Sequence, residues 1–303
     1  MSFFSIRDDE LFALFRNAPI ETINCLCRSH PRISRLSREP RFRQLMEEKM
    51  VDWLVEHYNN LPGKDKYFML AERYKNPTKE NALLKSIREG NLLHVNLLLK
   101  YGVDPSTDNN TGIFLASRGG HLEIVNRLLE DPRVNPTDNC NLHIISASAS
   151  GHLEIVNRLL DWRPHEAGDD RRVDPSDQDN DAIVMASERG HLKVVDRLLR
   201  DPRVDPSDRG NEAIISASKY GHYEVVNRLL EDPRVDPTAR NNAAIIAASS
   251  NGHLEVVKRL LDWRPLSAGD DRRVDHRAQN NRAIKFALQN DHYEIFGLLA
   301  RYI

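Results

Sequence analysis

Six histidines, His121, His152, His191, His222, His253 and His292, recur along the chain at steps of 31 to 39 residues, and imidazole is a common metal ligand. A histidine-bound ion needs each ring nitrogen about 2 Å away, whereas side chains supplied one per structural repeat stand on the order of 10 Å apart. The ladder therefore reads as structural, each ring marking the start of a helix. Serines 117, 148, 187, 218 and 249 recur in the same way. They lie in no G-x-S-x-G nucleophile turn and read as small residues in a packed helix. Cys25-x-Cys27 lacks the second ligand pair of a zinc site. Gly63-Lys64-Asp65 lacks the earlier glycine and the Ser or Thr of a phosphate-binding loop, and there is no dinucleotide fingerprint or H-E-x-x-H. No catalytic residue, cofactor or metal site is expected, and the chain reads as a non-enzyme.

The elements that carry these side chains repeat. The stretch from Asn211 to Pro237, NEAIISASKYGHYEVVNRLLEDPRVDP, has close copies beginning at Asn110, Asn141, Asn180 and Asn242, and weaker ones at Glu80 and Asn281. The closing glycine falls at 90, 120, 151, 190, 221 and 252, with Asp291 in the seventh copy, so the steps are 30, 31, 39, 31, 31 and 39 residues. Such a period marks a solenoid, whose units bury a core only by stacking. In each copy the initial Asn is placed to cap a first helix, at about 1 kcal/mol per cap. Ile214, Ile215 and Ala217 have helical spacing, and Gly221 supplies the left-handed residue that ends the helix. The second helix carries the apolar stripe Val225, Val226, Leu229 and Leu230. Glu123, Glu154, Glu224 and Glu255 precede Arg127, Arg158, Arg228 and Arg259 by four residues, which predicts i,i+4 pairs. Asp-Pro-Arg-Val-Asp-Pro should then stop the helix and form a short extended finger.

Helix, glycine turn, helix and finger, with G-H-x-x-V-V-x-x-L-L at the second helix, resembles the ankyrin repeat over about residues 80–303. Where that family has Thr-Pro-Leu-His, this chain has Glu212-Ala213-Ile214-Ile215, Asp181-Ala182-Ile183-Val184 and Ala243-Ala244-Ile245-Ile246. The resemblance implies an all-α solenoid of about seven repeats in residues 79–303, with a concave face that binds a protein partner.

Net charge is −2, from 43 basic and 45 acidic residues, with 40% hydrophobic content. This balance gives no reason to expect nucleic acid or membrane binding. The apolar runs are too short to span a bilayer, and residues 1–10 lack the pattern of a signal peptide. Three cysteines cannot complete a disulfide framework. A monomer with reduced thiols, in the cytoplasm or nucleus, is expected.

Residues 1–50 depart from the repeat and read as a three-helix unit, with Pro19 and Pro40 as breaks. Asp9-Glu10-Leu11, Leu26-Cys27-Arg28-Ser29 and Glu39-Pro40-Arg41-Phe42-Arg43 resemble a degenerate F-box, in which Ile6-Arg7 stands for the family's Leu-Pro. The resemblance implies a Skp1-type adaptor docked on Leu11, Phe12, Phe15, Leu26 and Phe42, with the repeats as substrate arm of a ubiquitin ligase. The alternative is a helical cap on the first repeat, in a binding or sequestering scaffold without a ligase link. F-box-like ends joined to repeats of this wording are similar to proteins of large DNA viruses that infect amoebae. Arg28, Arg32, Arg35, Arg38, Arg41 and Arg43 could face phosphate, but Glu39, Glu47 and Glu48 dilute them, and a solvated helix face is favoured. Residues 51–78, with breaks at Leu61-Pro62-Gly63 and Asn76-Pro77, read as a helical bridge.

The two 39-residue steps hold similar inserts, starting at Asp161-Trp162-Arg163-Pro164 and Asp262-Trp263-Arg264-Pro265, 101 residues apart as block duplication would leave them. Trp162 and Trp263 either pack on their own helix ends, the favoured reading, or stand as exposed anchors. Lys285 replaces the aliphatic residue of Ile145, Val184, Ile215 and Ile246, as suits an uncovered outer face. Positions that vary between repeats on one face can specify a partner. They include Met185, Glu188, Arg189, Arg209, Lys219, Tyr220 and Arg240, a candidate patch on the concave face and finger tips.

Overall fold

The computed structural model describes residues 79–301, apart from Tyr101, Ala167 and residues 267–269. The F-box-like unit with Leu11, Phe12, Phe15, Leu26 and Phe42, the arginine series and the bridge all lie outside the described residues. The chain divides into two compact units, Met1–Pro105 and Ser106–Ile303. The first contains the helices α1 (Lys79–Arg88) and α2 (Leu92–Lys100), with Leu83, Ile87, Val95 and Leu98 fully buried.

The second unit is six helix pairs. The first helices of the pairs are α3 (Thr107–Gly119), α5 (Asp138–Ala149), α7 (Asp177–Glu188), α9 (Asp208–Lys219), α11 (Ala239–Ser250) and α13 (Ala278–Gln289). Their partners are α4 (Leu122–Leu129), α6 (Leu153–Leu160), α8 (Leu192–Leu199), α10 (Tyr223–Leu230), α12 (Leu254–Leu261) and α14 (Tyr293–Ala300). The second-helix stripe packs as its spacing predicts: Val225, Val226, Leu229 and Leu230 are all buried. Successive first helices touch more closely than successive second helices, so the first-helix layer is the tighter, concave side of this unit.

The initial Asn is where the structure departs most from the sequence-based expectation. It is no helix cap: no cap hydrogen bond is made by a side chain at these helix starts, and Asn180 is the last of three left-handed residues, Gln178, Asp179 and Asn180, with φ of 53°, 52° and 60°. The same three-residue turn kinks the start of every first helix of this unit. Left-handed backbone costs an L-residue about 1–2 kcal/mol, least for Asn, Asp and Gly. The turn closes on its own backbone, Asn180 N–H donating to Ser176 O at 2.9 Å. Its side chain is buried and faces the next repeat: Asn180 Oδ1 accepts the Asp205 amide at 2.8 Å, and Nδ2 donates to the Asp208 carboxylate. Asn110 and Asn141 make both bonds in turn, while Asn211 and Asn242 keep the backbone bond alone, at 2.7 Å each, because Ala239 and Ala278 replace the carboxylate.

The finger that receives this clip is not extended. It is two successive turns, each built on an Asp or Asn. Asp201 Oδ1 accepts from the Arg203 amide at 3.1 Å, and the Arg203 guanidinium returns on both carboxylate oxygens at 2.9 and 2.8 Å. This bidentate hydrogen bonding holds the Asp201 carboxyl below its ordinary range, with partial burial opposing it. Asp205 then accepts from the Ser207 amide and hydroxyl. Arg203 also reaches back to Val173 O at 2.9 Å, and Arg234 likewise to Val204 O at 2.7 Å.

The second helices are tied in the same cross-repeat manner, which corrects the expected i,i+4 pairs. Arg158, Arg197, Arg228 and Arg259 donate to Asn126, Asn157, Asp196 and Asn227 of the preceding repeat, at 2.6–2.9 Å. An exposed intrahelical pair is worth only a few tenths of a kcal/mol, so a half-buried partner on the neighbouring helix prevails.

The histidines are structural, as their spacing indicates. Nε2 of His152, His191, His222, His253 and His292 donates to a first-helix carbonyl one repeat back, Arg118, Ala149, Glu188, Lys219 and Ser250, at 2.8–3.2 Å. Each ring lies under the closing glycine of that repeat. Gly151 has φ of +76°, and a Cβ there would stand 2.6 Å from His191 Nδ1. The glycine thus serves both the left-handed turn and the approach of the next ring.

In the inserts Trp162 and Trp263 are buried, which removes the exposed-anchor reading. Their amides bond Leu159 O and Leu260 O, and Arg163 and Arg264 satisfy the last carbonyls of α6 and α12.

Two stability measurements test these assignments. Asn180→Gly keeps the left-handed turn but removes both cross-repeat bonds, and should cost about 2–3 kcal/mol in urea unfolding. The same change at a helix cap would cost only a few tenths of a kcal/mol, and at exposed Asn281 it should be nearly neutral. Gly151→Ala should destabilise by more than the roughly 1–2 kcal/mol of its backbone angle. In combination with His191→Ala its cost should shrink, a non-additivity that two separate local effects would not produce.

Candidate functional site

The candidate site is built on the first helices, because each of α3, α5, α7, α9 and α11 is anchored on three sides by the asparagine turn, the glycine and the histidine of the next repeat. Its variable positions then project from a rigid layer. Met185 and Glu188 of α7 are half-buried, and the Glu188 carbonyl is the acceptor for His222. Arg189 is exposed, 3.7 Å from the Glu188 carboxylate.

Arg209 and Arg240 are exposed but spent on the scaffold. Arg209 donates to Asp181 at 2.9 Å and to Gln178 O at 2.7 Å, and Arg240 donates to Glu212 at 2.5 Å and to Arg209 O. The two finger-tip arginines are therefore rungs between neighbouring repeats. Lys219 and Tyr220 remain outward: the Lys219 ammonium lies 5.0 Å above the Tyr220 ring, which is 47% exposed.

Of the seven expected residues, Lys219 opens onto a groove of about 330 Å³ that crosses α9, α11 and α13. Ile215, Ala243, Ile246, Ala247 and Phe286 give it an apolar floor, and Arg282 and Gln279 form the far rim. Arg282 and Phe286 escaped the sequence comparison because the seventh copy closes with Asp291 instead of Gly. Phe286 stands five residues before Asp291, in the series Leu115, Ser146, Met185, Ser216, Ala247, and counting back from that aspartate would have found it.

A second concavity, about 580 Å³, lies among the fingers and is lined by Asp174, Asp177, Asp179, Asp205 and Asp208 with Arg203. Asp174 and Asp205 hold Ser176 and Ser207, and Asp177 and Asp208 hold Asn141 and Asn180. Four of the five carboxylates thus already serve the fold. Ser117, Ser148, Ser187, Ser218 and Ser249 are fully buried, so none can meet a substrate.

Family membership follows from the repeat sequence as a whole. The family model for ankyrin repeats, in three copies, matches residues 44–140 and 142–241, more than half of the chain. This chain belongs to the ankyrin-repeat family. The ankyrin pairs continue beyond that match to α14 in the structure. Among solved structures, the human ASB11 ankyrin repeat domain is similar, at 22% identity and a TM-score of 0.49, over 68% of this chain and 96% of that one. No curated protein matches. An ankyrin array is a protein–protein interaction module.

One buried titratable group went unnoticed in the sequence. His143 occupies the position of Ala182, Ala213, Ala244 and Ala283 on its helix, is fully buried, and has no hydrogen-bond partner on either ring nitrogen. Desolvation pushes its pKa down from 6.5 to about 4. The folded state therefore binds fewer protons than the unfolded state between those two values. Stability should fall as pH drops below about 6.5, with the loss complete near pH 4 and totalling about 3 kcal/mol. Urea unfolding of the wild type and of His143→Ala at pH 7, 5.5 and 4 should differ by that slope. Parallel curves would show that His143 does not titrate in this window.

Proposed function

We propose that the first-helix face binds a protein partner across α9, α11 and α13, and that residues 1–50 recruit a Skp1-type adaptor. The chain would then be the substrate arm of a ubiquitin ligase, acting by proximity in the cytoplasm or nucleus of a cell infected by a large DNA virus. The observation that carries the binding half is the groove itself, an apolar floor beside exposed Lys219 and Tyr220 on an anchored layer of helices. Tyr and cationic side chains around a desolvated floor are common anchors of interfaces. The adaptor half is supported by the wording of residues 9–11, 26–29 and 39–43. Holding substrate and machinery on one chain raises their effective concentration without chemistry in the chain itself.

A scaffold without a ligase link is the second reading, favoured by the absence of the F-box family's opening Leu-Pro, here Ile6-Arg7. One experiment separates the two. Full-length chain, its Ala247→Arg variant and its Leu11→Asp/Phe15→Asp variant are used to capture a purified Skp1-type adaptor, and proteins from amoebal extract. The proposal expects adaptor with the first two only, and a set of extract proteins lost with Ala247→Arg only. Adaptor bound by none of the three leaves the scaffold reading, and extract proteins indifferent to Ala247→Arg remove the groove.

A further inference from the structure

Several arginines of this unit are ion-paired across repeats, and among the described residues the two cations that flank the groove are not. Arg209, Arg228, Arg240 and Arg272 each have a carboxylate within ion-pair distance, on Asp181, Asp196, Glu212 and Asp236. They are neutralised by the scaffold. Lys219 and Arg282, which flank the groove, have no carboxylate partner among the described residues. Arg282 instead donates to the neutral amide oxygen of Gln279 at 2.8 Å, and its guanidinium lies 4.9 Å from the centre of the Phe286 ring.

Both cations are therefore oriented by neutral groups, one on each rim, each over an aromatic ring. Stacking fixes a guanidinium or ammonium without consuming its charge. No acidic side chain lines the groove between them. Exposed Lys285 takes the helix position of Ile215 and Ile246 and adds positive charge to the same helix as Arg282.

We propose that this groove takes an acidic linear segment of a protein partner. An Asp or Glu side chain reaches Lys219 and Arg282, and a bulky apolar neighbour lies on Ile246 and Phe286. The assignment rests on the protein-binding reading above and specifies its chemistry. A nucleic acid would also answer the positive charge. It is disfavoured here because the floor is aliphatic and the finger concavity earlier in the stack is lined with aspartates, which would repel a continuing phosphate chain. A peptide carries its charge locally and needs only these two cations.

The test displays a random twelve-residue peptide library to the full chain, and sorts the retained clones on Ala247→Arg, Lys219→Glu and Arg282→Glu. The two charge reversals alter exposed side chains, so they report even if Ala247→Arg perturbs the stack. Retained clones should be rich in Asp and Glu beside Phe, Leu or Ile, and should bind about tenfold more weakly to each charge reversal, with the difference shrinking in high salt. Clones that depend on Ala247→Arg but are neutral or basic overturn the proposal while leaving a protein-binding groove. No enrichment, or clones indifferent to all three variants, also overturns it. The wider reading falls only if the extract proteins survive Ala247→Arg as well. Poly-dT, offered in parallel, overturns it if it is the ligand lost on both charge reversals.

Discussion

Three consecutive left-handed residues in the first turn of each first helix are a local cost that the contact between repeats offsets. Against about 1–2 kcal/mol per L-residue, the last side chain of the five turns that have a following finger, an asparagine each time, is buried against that finger and accepts one of its amides. Asn180 holds the Asp205 amide and the Asp208 carboxylate; in return the finger orders the turn that begins α9. The bond is across repeats, so each repeat is completed by the next one, and its gain appears only when the stack forms.

The same cross-repeat logic governs the other recurring residues. A histidine ring closes over the preceding glycine, an arginine of the second helix reaches the preceding Asn or Asp, and Arg203 and Arg234 reach the preceding finger valine. These polar ties run along both edges of the apolar core formed by residues such as Ile214, Val226 and Leu229. The apolar contacts make the stack form at all, while the directional bonds set the register in which it forms.

That division bears on function. Charge used for register is unavailable to a partner, which is why Arg209 and Arg240 are poorer binding candidates than their exposure implies. Lys219 and Arg282, by contrast, stand without a carboxylate partner among the described residues, on either side of an apolar floor. A repeat protein can vary such positions freely because the stack's bonds are made by other atoms.

Spacing alone determined the solenoid, the number of helix pairs in residues 79–303, the left-handed glycines and the structural nature of the histidines. These follow from helical periodicity and from the distance between repeats, both of which are properties of the one-dimensional chain. The partners of Asn180 and Arg228 were decided by tertiary structure, and so was the placing of Lys219 and Arg282 on one groove, sixty-three residues apart in sequence. A polar side chain bonds whatever the stacked neighbour brings within about 3 Å. Local propensity describes only its own helix, so it assigned the asparagine to a cap and the arginine to its own turn, where the stack offered each a more buried partner.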